Sequence, residues 1–121
     1  MIKYIYQYNE DKISQLDGYE IKIGNDTLKY GYSYDIYGNI IQIIKYKNNV
    51  EFEKIEYQYN NNQELLQEKI TRNNVIVLVT NYTYNTIGNI TSITRTTKQE
   101  EYSNLPYKIE FIYDTNVRMK L

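Results

Sequence analysis

The sequence predicts an all-β fold, an array of about five antiparallel β-hairpins forming one continuous curled sheet. Three observations carry this expectation. An aromatic-x-aromatic-Asx unit recurs as Tyr6-Gln7-Tyr8-Asn9, Tyr32-Ser33-Tyr34-Asp35, Tyr57-Gln58-Tyr59-Asn60, Tyr82-Thr83-Tyr84-Asn85 and Phe111-Ile112-Tyr113-Asp114. The second aromatics stand 26, 25, 25 and 29 residues apart, and a period near 25 marks stacked supersecondary units. Sixteen Tyr and no Ala, with abundant Ile, Val and Thr, favour strands over helices.

Taken in order, residues 2–8 alternate at period two, with Ile2, Tyr4, Tyr6 and Tyr8 on one face. Asn9 to Lys12 breaks the run, in a turn one residue shorter than the later ones. Asp17-Gly18 reads as a bulge or tight turn within the returning strand, which ends at Gly24-Asn25-Asp26. Leu28, Tyr30, Tyr32 and Tyr34 line one face of the next strand. Asp35 to Gly38 reverses the chain, with Gly38 suited to positive φ, and Ile40 to Lys47 returns.

Asn48-Asn49 separates two strand-like runs as a two-residue hairpin turn, and Asn73-Asn74 repeats it after 25 residues. The change of parity between Phe52 and Ile55 signals a bulge or face switch. Val75 to Val79 is apolar on both faces and is expected to be the most buried strand. Residues 97–106 are polar, irregular and hold the only proline, Pro106. Lys108 to Tyr113 leaves as a last strand, Asp114 to Asn116 turns, and Val117 to Leu121 begins a return.

The repeats therefore fall near 2–24, 27–48, 50–73, 75–97 and 107–121, within a single domain. The apolar position six residues after the second Tyr is Ile40, Leu65, Ile90 and Met119; Ile13, five after Tyr8, fills it in the first unit when that unit's shorter turn is aligned, and the position packs beside the Tyr ladder. One hairpin cannot offset the entropy of ordering itself, so the units must lean on each other laterally.

Composition excludes several function classes. A formal charge of −1 offers no electrostatic footprint for nucleic acid or an anionic membrane. No run of about 18 apolar residues is long enough for a membrane-spanning helix. The N-terminus enters strand-like alternation directly and reads as having no signal peptide. Without His or Cys there is no imidazole acid–base chemistry, no thiol nucleophile and no usual transition-metal site. No cofactor is expected.

Tyr32 to Ile40, Tyr-x-Tyr-Asp-x-x-Gly-Asn-Ile, resembles the signature of the Rhs or YD repeat in full. Tyr82 to Ile90, with Gly88 and Asn89, resembles it with Asn85 for Asp. Tyr57 to Leu65 keeps the tyrosines but has Gln63-Glu64 in place of Gly-Asn, and the first and last units lack the Gly. The resemblance covers nearly the whole chain outside residues 97–106.

It implies a hollow β-shell wound from hairpins, as in bacterial Rhs and wall-associated toxins, Tc toxin shell subunits and animal teneurins. In the bacterial toxins such a shell encloses a cytotoxic region, which implies a secreted or cell-surface bacterial setting. The family's Asp-Pro-x-Gly motif is absent, so neither a self-cleavage site nor a toxin domain carries over. Closing a shell around a cargo of ~100 residues takes about thirty strands, so this chain is expected to be a segment of a longer protein, a remnant, or an open sheet that needs partners.

The residues singled out are Tyr6, Tyr8, Tyr32, Tyr34, Asp35, Gly38, Asn39, Tyr57, Tyr59, Tyr82, Tyr84, Gly88, Asn89, Phe111, Tyr113 and Asp114, all with structural roles: packing for the aromatics, turn formation for the rest. The expected function is a non-catalytic wall segment whose partners are other YD-repeat segments or a toxin cargo, with self-association through sheet edges. The alternative is a carbohydrate-binding module that stacks a glycan on exposed tyrosine rows. A carboxylate-pair enzyme is a third, weaker reading. Glu51, Glu53 and Glu56 read as a solvated edge or rim.

Overall fold

A computed structural model of the chain describes residues 2–8, 16–97, 107–113 and 119–120. Eleven strands follow one another: β1 (Ile2–Tyr8), β2 (Leu16–Ile23), β3 (Asp26–Tyr34), β4 (Ile40–Lys47), β5 (Val50–Tyr59), β6 (Leu65–Arg72), β7 (Val75–Tyr84), β8 (Ile90–Thr97), β9 (Lys108–Glu110), β10 (Ile112–Tyr113) and β11 (Met119–Lys120). The first nine form one sheet in sequence order, every pair antiparallel, and β10 pairs with β11. Among the described residues there is no helix. The sheet is open, with β1 at one edge and β9 at the other.

Two kinds of reversal alternate. Asn48-Asn49 and Asn73-Asn74 have φ of 49° and 66° in both copies, the pair of positive angles that a two-residue turn needs to match strand twist. Asn tolerates this region better than most residues with a Cβ. The other end of each hairpin is a five-residue loop, 35–39, 60–64 or 85–89, followed by a bulge. Tyr34 pairs with Ile40 but Ser33 with Gln42, leaving Ile41 over. The same step leaves Leu66 and Thr91 over in the next two hairpins. Phe52 and Val77 are extra residues at the opposite end, which accounts for the parity change between Phe52 and Ile55.

The first hairpin departs from expectation. Tyr8 pairs with Leu16, not Ile13, so its loop is longer than the later ones and not shorter. Ile13 and the loop itself lie outside the described residues. Gln7 pairs with Gly18, so Asp17 is the bulged residue within a continuous β2. Gly18 is required by close approach, since a Cβ there would run into the carbonyl oxygen of Tyr30 on β3.

The sheet is a single layer, and burial shows it. Val77 and Leu78 are the buried apolar residues among those described, and no large side chain is fully enclosed. β7 carries both, with buried Thr80, yet Val75 and Ile76 at its start are exposed. That strand is thus the most buried only over its middle, because its first residues flank the Asn73-Asn74 turn at the rim. The final outgoing run is split at Phe111 into β9 and β10. Residues 98–106 and the predicted turn with Asp114 lie outside the described residues.

Candidate functional site

The repeat motif assembles at the loop end of each hairpin. Asp35 begins its loop and closes it: its Oδ1 accepts hydrogen bonds from the amides of Tyr37 and Asn39, both 2.9 Å, and Asn39 Nδ2 donates to Oδ2 at 3.3 Å. The Asp35 amide donates to the Asn39 carbonyl at 2.9 Å. Desolvation pushes the Asp35 carboxyl up, but the bonds from Asn39 and Tyr37 together outweigh it and hold its pKa below the ordinary value. Asn85 does the same for Ile87 and Asn89, and Asn60 for Asn62 and Glu64. An amide serves here as well as a carboxylate because the loop asks only for an acceptor.

Gly38 and Gly88 have φ of 87° and 92°. Gln63 occupies the equivalent place with φ 64°, so the loop keeps its shape without the glycine. Glu64, in place of the motif Asn, accepts from Asn60 Nδ2 at 2.9 Å. The degenerate third unit is therefore a full structural copy.

The second tyrosine of each unit reaches into the preceding hairpin. Tyr59 Oη donates to the carbonyl of Ile40 at 2.7 Å, Tyr84 Oη to that of Leu65 at 2.6 Å, and Tyr113 Oη to that of Ile90 at 2.7 Å. These acceptors are the residues six after the previous unit's second Tyr. In register, Ile40, Leu65, Ile90 and Met119 pair with Tyr34, Tyr59, Tyr84 and Tyr113. The ladders between hairpins begin only at Gln42, Gln67 and Ser92. The phenol therefore fills the gap where the backbone ladder between neighbouring hairpins has ended. The hydroxyls thus meet backbone carbonyls of the neighbouring hairpin. Burial pushes the Tyr59 and Tyr84 phenols up, helped by the nearby Asp35 and Glu64 charges respectively.

The remaining singled-out residues fall into place around this. Tyr32, Tyr34, Tyr57 and Tyr82 are half-buried on their strands, and Phe111 donates its amide to the Thr91 carbonyl at 2.9 Å. Tyr6 pairs with Tyr19 through the backbone, as Tyr8 does with Leu16.

Sequence reasoning missed the role of Glu53. It is not part of a solvated edge: only 6% exposed, it sits between Lys45 Nζ at 2.6 Å and Arg72 Nε at 2.7 Å. Register explains the triad, since Lys45 on β4 and Arg72 on β6 both lie directly opposite Glu53 on β5. Desolvation pushes the carboxyl up, but the Lys45 and Arg72 bonds prevail and lower its pKa. Lys45 also lies 5.8 Å from the centre of the Tyr30 ring, which stacks on Tyr19 at 4.6 Å. No local sequence signal marks this row, because its members come from five separate strands.

Shallow clefts open on the sheet, and two of them adjoin the repeat loops and the polar row. One, about 530 Å³, lies between loops 35–39 and 60–64 and includes Asp35, Tyr37 and Tyr59; the other, about 440 Å³, includes Ser33, Gln42, Glu56 and Lys69. Each holds a single carboxylate. Among the described residues no three His, Cys, Asp or Glu side chains gather as a metal site. No described helix is long and apolar enough to cross a membrane.

No protein-family model matches the chain, and no curated protein matches it in sequence. In structure it is similar to a chain of the TcdB2-TccC3-TEV crystal structure, with a TM-score of 0.73 at 17% identity over 96% of this chain. The match spans only 6% of that much longer chain. The open antiparallel hairpin array is thus similar in fold to a part of that chain.

Proposed function

We propose that this chain is a non-catalytic wall segment, contributing β-hairpins to a larger YD-repeat sheet that encloses or presents another polypeptide such as a toxin. The observation that carries the reading is the tyrosine bond from each unit to the carbonyl of the unit before it, made by Tyr59, Tyr84 and Tyr113. Such a bond needs a preceding hairpin and leaves room for a following one, so the same rule extends the sheet in both directions. The thin core supports it as well, since a layer with only Val77 and Leu78 buried among its described apolar residues gains by acquiring neighbours.

Glycan stacking on exposed tyrosine rows has less support. The described repeat tyrosines are half-buried, and the strongly exposed Tyr37 and Tyr107 stand on separate, distant hairpins.

Joining two copies of the chain in tandem tests the wall reading. A segment that extends laterally unfolds in one transition, at higher denaturant than the single copy. Two transitions at the single-copy midpoint would contradict it.

A further inference from the structure

The two faces of the sheet differ in a way that points to a second copy of this chain. Directly opposed residues share a face. Tyr32, Ile43, Ile55, Ile70 and Leu78 form an unbroken apolar row across β3 to β7. On the turn side of this row lie Lys45, Glu53 and Arg72, which neutralise one another except for one positive charge. On the loop side, Tyr57 and Thr80 flank Glu68 in register, and Thr80 in turn faces Arg95. On the other face Ser33, Gln42, Glu56 and Lys69 form a polar row, and the next row mixes Ile44 and Ile76 with Lys54 and Thr71.

We propose that a second copy packs face to face on the apolar row, about a two-fold axis that runs along it. Rotation about that axis keeps each strand opposite its own copy and exchanges turn end for loop end. On β6, Ile70 lies midway between Glu68 and Arg72, so Glu68 of each copy meets Arg72 of the other. On β5, Ile55 lies midway between Tyr57 and Glu53, so each phenol comes over the other copy's Lys45–Glu53–Arg72 group. The row is self-complementary at both central strands, as an isologous interface requires. Sheets pack about 10 Å apart with strands within about 30° of alignment, a separation that long side chains two residues from the axis can span. Nine strands at ~4.8 Å and about eight residues at ~3.3 Å give a face of roughly 1,100 Å², above the ~800 Å² per partner of a stable interface. This goes beyond the wall reading, which concerns the edges of the sheet and not this face.

Sedimentation equilibrium over a concentration series tests it, with the chain and two charge variants. The native chain is expected as a dimer of twice 14.6 kDa. Glu68→Arg or Arg72→Glu alone opposes like charges across the axis and weakens the dimer by at least about 30-fold. An equimolar mixture of the two variants regains it, because each then meets its opposite. Circular dichroism checks that each variant keeps its strands. Independently of these, the chain has no cysteine, so a bismaleimide with a reach of about 10 Å should join Ile70→Cys chains and not Lys69→Cys chains. A native monomer at all concentrations, an open-ended series indifferent to Glu68→Arg, or equal cross-linking at both cysteines would overturn the proposal.

Discussion

Tyr84 Oη donates a 2.6 Å hydrogen bond to the carbonyl oxygen of Leu65, nineteen residues earlier on the neighbouring strand. Tyr59 does the same to Ile40 over the same separation. Replacing Tyr84 by Phe leaves the ring and removes only the donor. The expected loss is about 1–2 kcal/mol, because the Leu65 carbonyl is left part-buried without its partner. Urea unfolding of Tyr84→Phe, Tyr59→Phe and the double variant measures it, and the two losses should add, since the bonds sit on separate strand pairs.

The loops give a gain as well as losses. Gln63 holds φ 64° with an exposed side chain where its counterparts are Gly38 and Gly88. Gln63→Gly should stabilise the chain by about 1 kcal/mol, since a left-handed residue with a Cβ costs roughly 1–2 kcal/mol. Gly88→Ala should destabilise it by a similar ~1 kcal/mol, with its Cβ only 3.1 Å from Glu64 Oε2. Thermal midpoints of the two variants should move in opposite directions.

Glu53 is held by two cations on opposite sides. Glu53→Ala leaves Lys45 and Arg72 facing each other and should cost about 3 kcal/mol, far more than Glu56→Ala, whose side chain is 35% exposed and reaches Lys69 at 3.6 Å. Chemical denaturation of both variants at neutral pH measures the contrast.

Opposite pH limits follow from shifted groups. The Glu53 pKa is lowered in the folded chain, so its contribution is present above the ordinary value of 4.5 and is lost as pH falls through the lower folded value. Tyr57 is pushed up to about 12 from 10.0, first by burial and then by Glu68. Its contribution is complete below pH 10 and disappears between about pH 10 and 12, where only the unfolded chain ionises readily. Stability should therefore decline at both ends, and the alkaline decline should accompany the tyrosinate absorbance change.

Much of this architecture is written locally. The Asn48-Asn49 and Asn73-Asn74 turns, the bounds of β4 at Ile40–Lys47 and the Tyr34–Ile40 pairing follow from periodicity and turn chemistry. The first loop misled because Ile13 is apolar at a plausible spacing, whereas pairing with Leu16 follows from the whole register of β1 on β2. The carbonyl partners of the tyrosines and the burial of Glu53 were not legible. Both depend on which residues meet across different hairpins, and the contacting side chains of the Glu53 row share no sequence motif.

The central structural claim is that the chain is an in-phase array in which each hairpin supports the next. Residues 50–74 span one period, and their removal joins Asn49 to Val75 through a turn whose angles match those of Asn73-Asn74. Urea unfolding of the chain lacking 50–74 tests the claim most directly. A lateral array predicts a folded β-sheet that unfolds in one transition at lower urea, one repeat weaker. Complete unfolding in the absence of urea, or a midpoint unchanged from the full chain, would contradict it.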